Sequence, residues 1–409
     1  MQTELPALFS NRGRGSEHQS IVTDPDHIAR VKADYRETIS DVMAEESLPS
    51  WAEWSRANGF LTRNEAHGSP GNWLDLYAVA DIPETEMFSK DRNKLVSKFA
   101  SSAGHIAGNN LIAAETGTWL KEHFTETLAD MKYLMDDMFL SGINHVFYHG
   151  TCYSPDDAPW PGWVFYASYE MNPRNSIWRD VPALNAYAVR CQAVLQSGQP
   201  DNDILLYWPI HDLWHNPVGL VQPLTVHARE WFEDRPVGRA AEQLWKRGYA
   251  FDYISDRQLA SAREARGCIQ VTGGNFRVLV VPLTQHLPLE TLRAMLALAK
   301  SGATLVFEGS LPADVPGWGN LERRREEFKH LLAELRLENT DKPGLREAKL
   351  GKGRVLVGDL ETAMAAAGVP REPLFDHPEL MCVRRTFAGG RYYFIANRSG
   401  KPASRTGSR

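Results

Sequence analysis

The chain has 409 residues, too long for one typical core, so two or three domains are expected. Its 43% hydrophobic and 23% charged content is that of an ordinary globular protein. A net charge of −6 leaves no basic footprint for nucleic acid, and no window approaches the roughly 20 apolar residues that cross a bilayer.

The N-terminus, "MQTELPALFSNRGRG", lacks the apolar run of a secretory signal. From Asp24 to Gly59 the apolar residues recur at three and four, which predicts helix, and Pro49 is expected to split it in two. "GFLTRNEAHGSP" then reads as a short strand entering a polar loop. "LYAVADIPETEMF", "NNLIAAETGTW" and "NHVFYHGTCYSP" repeat that pattern. Between the last two, "WLKEHFTETLADMKYLMDDMFLSG" reads as an amphipathic helix closed by Gly142.

Each of these apolar runs ends in residues able to do chemistry: Arg63, Asn64, Glu65 and His67; Glu84 and Glu86; Glu115; His149. In (β/α)8 barrels the site is built at the carboxyl ends of the strands, and a whole barrel takes about 250 residues. Fewer than that precede the next change of character, so residues 1–197 are expected to form the later half of a (β/α)8 TIM-like barrel. Residues 198–370, with continuous apolar runs such as "RVLVVP", are expected to form a doubly wound α/β domain. Residues 371–409 alternate as antiparallel strands do and are expected to begin a truncated β-rich domain.

Glu115 is the sharpest catalytic candidate, because a carboxylate directly after an apolar strand sits where a barrel aims its reactive groups. A strand-end glutamate in a salt bridge is the plainer alternative. Glu84 and Glu86 come next and are expected to split, one entering the pocket and one leaving it. Glycosidic cleavage needs two carboxyl groups, and Glu86 is the second catalytic candidate. Arg63, Asn64, His67 and Trp73 offer planar donors beside a ring, as sugar binding requires, although His67 and Trp73 could equally serve loop and helix packing. In the stretch from Asn144 to Ser168, Tyr153, Trp160 and Trp163 are expected to face a ligand in part, with His149 at the same rim. The bland reading is a long loop stapled down by its own rings.

Other signals are weaker. Four scattered cysteines, Cys152, Cys191, Cys268 and Cys382, read as free thiols. His211 and His215 in "PIHDLWHNP" are four apart, but Asp212 replaces the glutamate of HExxH and two prolines crowd the segment, so zinc is not expected. The second domain resembles glutamine-amidotransferase-like folds without their Gly-x-Cys-x-Gly elbow, and reads as non-catalytic.

The ordered motifs "RNEAHGSPGNWLDLYAVADIPETEMF", "AAETGTW", "HGTCYSPDDAPWPGWVFYAS" and "DNDILLYWPIHDLWH" resemble the α-L-rhamnosidases of glycoside hydrolase family 106. The resemblance runs from about Leu5 to Asn397. It implies inverting hydrolysis of terminal α-L-rhamnosides, a rhamnose-containing oligo- or polysaccharide as partner, calcium as a cofactor with no ligands assignable, and action outside the cytoplasm. It also implies that Glu115 is the general base. The catalytic acid would lie upstream of "ELPALF", hence before Met1, and an isolated fragment would then be inactive. A retaining β-glycosidase using Glu86 and Glu115, or a non-catalytic carbohydrate-binding remnant, are the rival readings.

Overall fold

The computed structural model describes residues 4–9, 22–88, 92–377 and 379–399. The first sheet is parallel throughout and follows chain order: β1 (Arg63–Glu65), β2 (Ile82–Met87), β3 (Ala113–Thr116) and β4 (His145–Tyr148). Helices separate consecutive strands, as parallel pairing requires. Trp73–Val79 lies between β1 and β2, Lys94–Ala107 between β2 and β3, and Leu128–Leu140 between β3 and β4.

The register sets Glu65 beside Glu84, Glu86 beside Glu115, and Glu115 beside Phe147. Aligned residues of a parallel sheet share a face, so these side chains form one surface. The Arg63 guanidinium stands 3.7 Å from the centre of the Phe147 ring. Those residues come from the two outermost strands, which a flat sheet would hold about 14 Å apart. Their contact indicates a surface that curls inward around the carboxylates.

Local sequence explains the boundaries. The N-terminal helix Pro25–Val42 is capped by Asp24, whose carboxylate accepts from Asp26 N at 3.1 Å. It passes through a π-turn at Met43–Ser47 into helix Leu48–Ala57, with Pro49 in the first turn, where its missing N–H costs nothing. The helix expected from Trp119 instead begins at Leu128, because Thr127 and Asp130 form a reciprocal capping box there. Its end is as expected: Gly142 (φ +91°) donates to Phe139 O.

A second sheet of seven strands begins at Ile204. Five consecutive strands, in the spatial order Gly353–Gly358, Thr304–Glu308, Val278–Val281, Ile204–Tyr207 and, at the edge, Phe251–Ile254, run parallel. Three of these, Val278–Val281, Ile204–Tyr207 and Phe251–Ile254, are buried at every position, as sheets covered on both faces are. The α/β class expected from sequence therefore holds. Beyond it, Leu380–Phe387 and Gly390–Asn397 form an antiparallel hairpin. Buried Arg384 fastens that hairpin to Asp201, Asp203 and Glu372.

Helix Lys94–Ala107 joins the two large sheets, packing on both β2 and Phe251–Ile254. Asp252, fully buried, receives Lys98 at 3.3 Å, Ser102 at 3.1 Å, His105 at 3.0 Å and Asn202 at 2.6 Å. The "VTGG" turn docks on the end of this helix. Gly273 donates to Ile106 O at 3.0 Å, and a Cβ there would lie 1.7 Å from His105 O, so only glycine fits.

Candidate active site

The carboxyl ends of β1–β4 bring Arg63, Glu65, His67, Glu84, Glu86, Glu115 and His149 onto one concave surface. His67 Nε2 lies 3.0 Å from Glu86 Oε2 and 3.2 Å from Glu65 Oε1. Burial opposes a charge on His67, but its hydrogen bonds to both glutamates and their charges outweigh that and push its pKa up to about 9. The ring is therefore an imidazolium at neutral pH, bridging two carboxylates.

Glu84 and Glu86 do not split as expected. Residues two apart on a strand share a face, and both face the cluster. Glu84 is buried and clasped by Arg63 Nε at 2.7 Å. Burial, only partly offset by Arg63, pushes its carboxyl up to about 7. Glu86 is anchored at both oxygens: Oε1 accepts from Thr118 Oγ1 at 2.6 Å, and Oε2 faces His67.

Glu115 is held differently. Its Oε1 lies 2.6 Å from His149 Nδ1 and 3.2 Å from Thr118 Oγ1. Among the described residues no hydrogen bond or ion pair engages Oε2. Its side chain keeps 31% exposure, against 6% for Glu86. One oxygen is thus fixed and the other is open to solvent.

Gly117 makes this possible. Its φ of +101° turns the chain straight after β3, so that Thr118, at 2% exposure, comes back over the strand ends. A Cβ at Gly117 would meet Met131 Cε at 2.6 Å.

Other expected residues lie elsewhere. Asn64 occupies the strand position that alternates with Arg63 and Glu65, and belongs to the opposite face. Trp73 is completely buried, packed edge-on against Tyr77, Phe99 and Trp231, and cannot stack on a sugar. It supports His67 from behind, at 6.4 Å between ring centres. Tyr153, Trp160 and Trp163 are 80%, 69% and 59% exposed on the loop after β4. The ring that approaches His149, at 5.1 Å, is Phe165.

That loop is held by polar groups more than by its own rings. Buried Glu170 accepts from Phe165 N at 2.8 Å and from Thr151 Oγ1 at 3.2 Å, while Arg174 donates to the carbonyls of Ala158 and Pro155. Glu65 and Thr118 complete the cluster. The apolar-run-then-carboxylate rhythm pointed to Glu65, whereas nothing in the sequence pattern singled out Thr118.

Among the described residues, one group of three could hold a metal ion: Glu65, His67 and Glu86. Calcium takes six to eight oxygens. This trio supplies two carboxylates and a nitrogen that carries a proton at neutral pH, so by itself it is not a calcium cage. His211 and His215 part company: His211 pairs with Asp256 at 3.3 Å, and His215 stacks on His286 at 4.1 Å.

Comparison with known proteins bears on the fold and the family. The structure of a rhamnosidase from Novosphingobium sp. PP1Y superposes with a TM-score of 0.71 at 22% identity, covering 91% of this chain and 34% of that one. A β-galactosidase from Bacillus circulans superposes with a TM-score of 0.60 at 11% identity, covering 94% of this chain and 64% of that one. A curated protein of Formosa agariphila, named "Putative beta-glucuronidase", is 26% identical over 302 residues, 73% of this chain and 24% of its own length. The chain thus spans about a third of the rhamnosidase and a quarter of the curated relative. The sequence profile of glycoside hydrolase family 106, described as α-L-rhamnosidase, matches residues 17–408, and the chain belongs to that family.

Proposed function

We propose that this chain carries the general-base side of a site that hydrolyses terminal α-L-rhamnosides with inversion, on strands forming a sector of a (β/α)8 barrel. The observation that carries the reading is the asymmetry of Glu115. Oε1 is fixed by His149 and Thr118, and Oε2 is open. A general base needs that arrangement, with one oxygen oriented by the protein and the other free to take a proton from water.

Inverting hydrolysis places a water between base and sugar, and a second carboxyl group protonates the leaving oxygen. Neither neighbouring glutamate is free for that second role, since Glu86 is anchored at both oxygens and Glu84 is clasped by Arg63. Their work is to hold Glu115 and its surroundings and to receive sugar hydroxyls. The rhamnosidase and β-galactosidase likenesses support a glycosidase scaffold, and the rhamnoside itself comes from the family.

Glu115→Gln, made in the full-length enzyme, tests the reading. Loss of about a hundredfold or more in kcat with substrate binding retained is expected, and near-normal kcat refutes the base role. A retaining β-glycosidase is the second reading. Its one supporting observation is that Glu86 and Glu115 contact the same hydroxyl, and are therefore closer than the roughly 6.5–9.5 Å that leaves room for water. The anomer of the first-formed product, followed by NMR, decides between the two.

A further inference from the structure

We propose that Thr118 is a positioning residue for Glu115, its hydroxyl serving as the spacer that sets Glu115 against the anchored Glu86. The inference rests on the base role of Glu115 given above.

Three observations carry it. The hydroxyl contacts both carboxylates, at 2.6 Å from Glu86 Oε1 and 3.2 Å from Glu115 Oε1. It has one proton to give, shared between the two carboxylates, with the shorter contact to Glu86 and the longer to Glu115 Oε1.

Glu86 cannot yield, because His67 takes its other oxygen at 3.0 Å. Thr118 cannot yield either. It is buried, follows the left-handed turn at Gly117, and its backbone bridges to Ser168 in the loop that follows β4. The position of Glu115 is thereby referred through one hydroxyl to the most firmly held carboxylate of the cluster. His149 closes on the same Oε1 from the other side, at 2.6 Å. One oxygen of Glu115 is thus held from two sides, which sets the plane of the carboxylate and leaves the other oxygen outward.

Thr118→Val keeps the shape of the side chain and removes the hydroxyl, whereas Thr118→Ser keeps the hydroxyl and removes a methyl. If Thr118 positions the base, T118V in the full-length enzyme lowers kcat about tenfold to a hundredfold while KM changes little, a loss typical of a misplaced reacting group. T118S recovers most of the rate, and both variants melt close to wild type. Wild-type kcat in T118V, a T118S variant as slow as T118V, or losses that follow melting temperature overturn the inference.

A second readout does not depend on turnover. With 13C-labelled glutamate, the Glu115 carboxyl resonance, assigned through E115Q, is expected to shift in T118V and to return in T118S; an unmoved resonance overturns the spacer role. Hydrolysis that survives E115Q would instead sink the base assignment while leaving the spacer measurement intact, so the two failures are distinguishable.

Discussion

His149 Nδ1 stands 2.6 Å from Glu115 Oε1, and the opposite nitrogen of the ring, Nε2, is buried without a hydrogen-bond partner among the described residues. The histidine directly follows β4, and the glutamate is the penultimate residue of β3, paired in register with Phe147 two residues before the histidine. His149 Nδ1 thus holds one oxygen of the candidate base and leaves the other outward.

His149→Ala should therefore lower kcat about tenfold to a hundredfold, through disorder of Glu115 rather than loss of a reacting group. His149→Asn, which can still offer an N–H near that position, should recover part of the loss. Steady-state kinetics of the full-length enzyme on an aryl rhamnoside read both. Equal impairment in the two variants would remove the orienting role.

His67 makes a pH prediction. Its pKa is raised from 6.5 to about 9, so its contribution to stability is fully present below 6.5 and is lost as pH rises through 9. Thermal melting between pH 6 and pH 10 should show an alkaline decline on the order of 2 kcal/mol. His67→Gln should flatten that decline while lowering stability at neutral pH, because Glu65 and Glu86 then face each other without a cation. An unchanged alkaline decline in the variant would place its source elsewhere.

The buried network between the two large sheets gives the opposite slope. Burial would raise the carboxyl of Asp252, yet the charges of His105 and Lys98 and the hydrogen bonds of His105 and Asn202 pull it down from 3.8 to about 2. A depressed carboxyl stabilises the fold above its unfolded pKa, and that contribution is lost as pH falls from 3.8 towards 2. Asp252→Ala strands Lys98 and His105 without their partner and should cost about 3–5 kcal/mol at neutral pH. Urea unfolding at pH 7 and pH 3 measures both effects. A variant that matches wild type at pH 7 would show that the network does not hold the sheets together.

How much of this was legible in the sequence varied with the kind of signal. Strands with continuous apolar runs, such as Val278–Val281, were readable because burial on both faces leaves no polar interruption. The placement of Glu115 beside Glu86 was readable in outline, because both follow apolar runs that form neighbouring parallel strands. Trp73 was misread as a sugar platform: its loop neighbours are polar, and only tertiary packing from Phe99 and Trp231 reveals it as core. The late start of helix Leu128–Leu140 was also hidden, because the apolar spacing continues upstream of the capping box that stops it. Thr118 was invisible, since a single hydroxyl between two carboxylates exists only once β2 and β3 are in register. Trp73→Ala separates core from site: it should cost about 3–5 kcal/mol in urea unfolding, where a sugar platform would lose binding alone.

The aromatic loop after β4 permits a comparable separation. Tyr153 and Trp163 have most of their surface in solvent, so their removal should change stability by less than about 0.5 kcal/mol. Arg174, by contrast, joins the carbonyls of Pro155 and Ala158 at 2.6 Å and 2.8 Å and spans the loop. Arg174→Ala should open it to proteolysis between Tyr153 and Trp163, while Tyr153→Ala and Trp163→Ala should resist cleavage as wild type does. If these rings meet carbohydrate, they do so beyond the terminal residue, because the ring nearest Glu115's partner is Phe165. Trp163→Ala should then weaken binding of a rhamnose-ended oligosaccharide severalfold and leave that of L-rhamnose unchanged, as calorimetry can measure. Equal affinities for both ligands in the wild type and the variant would make the loop a cover without a binding role.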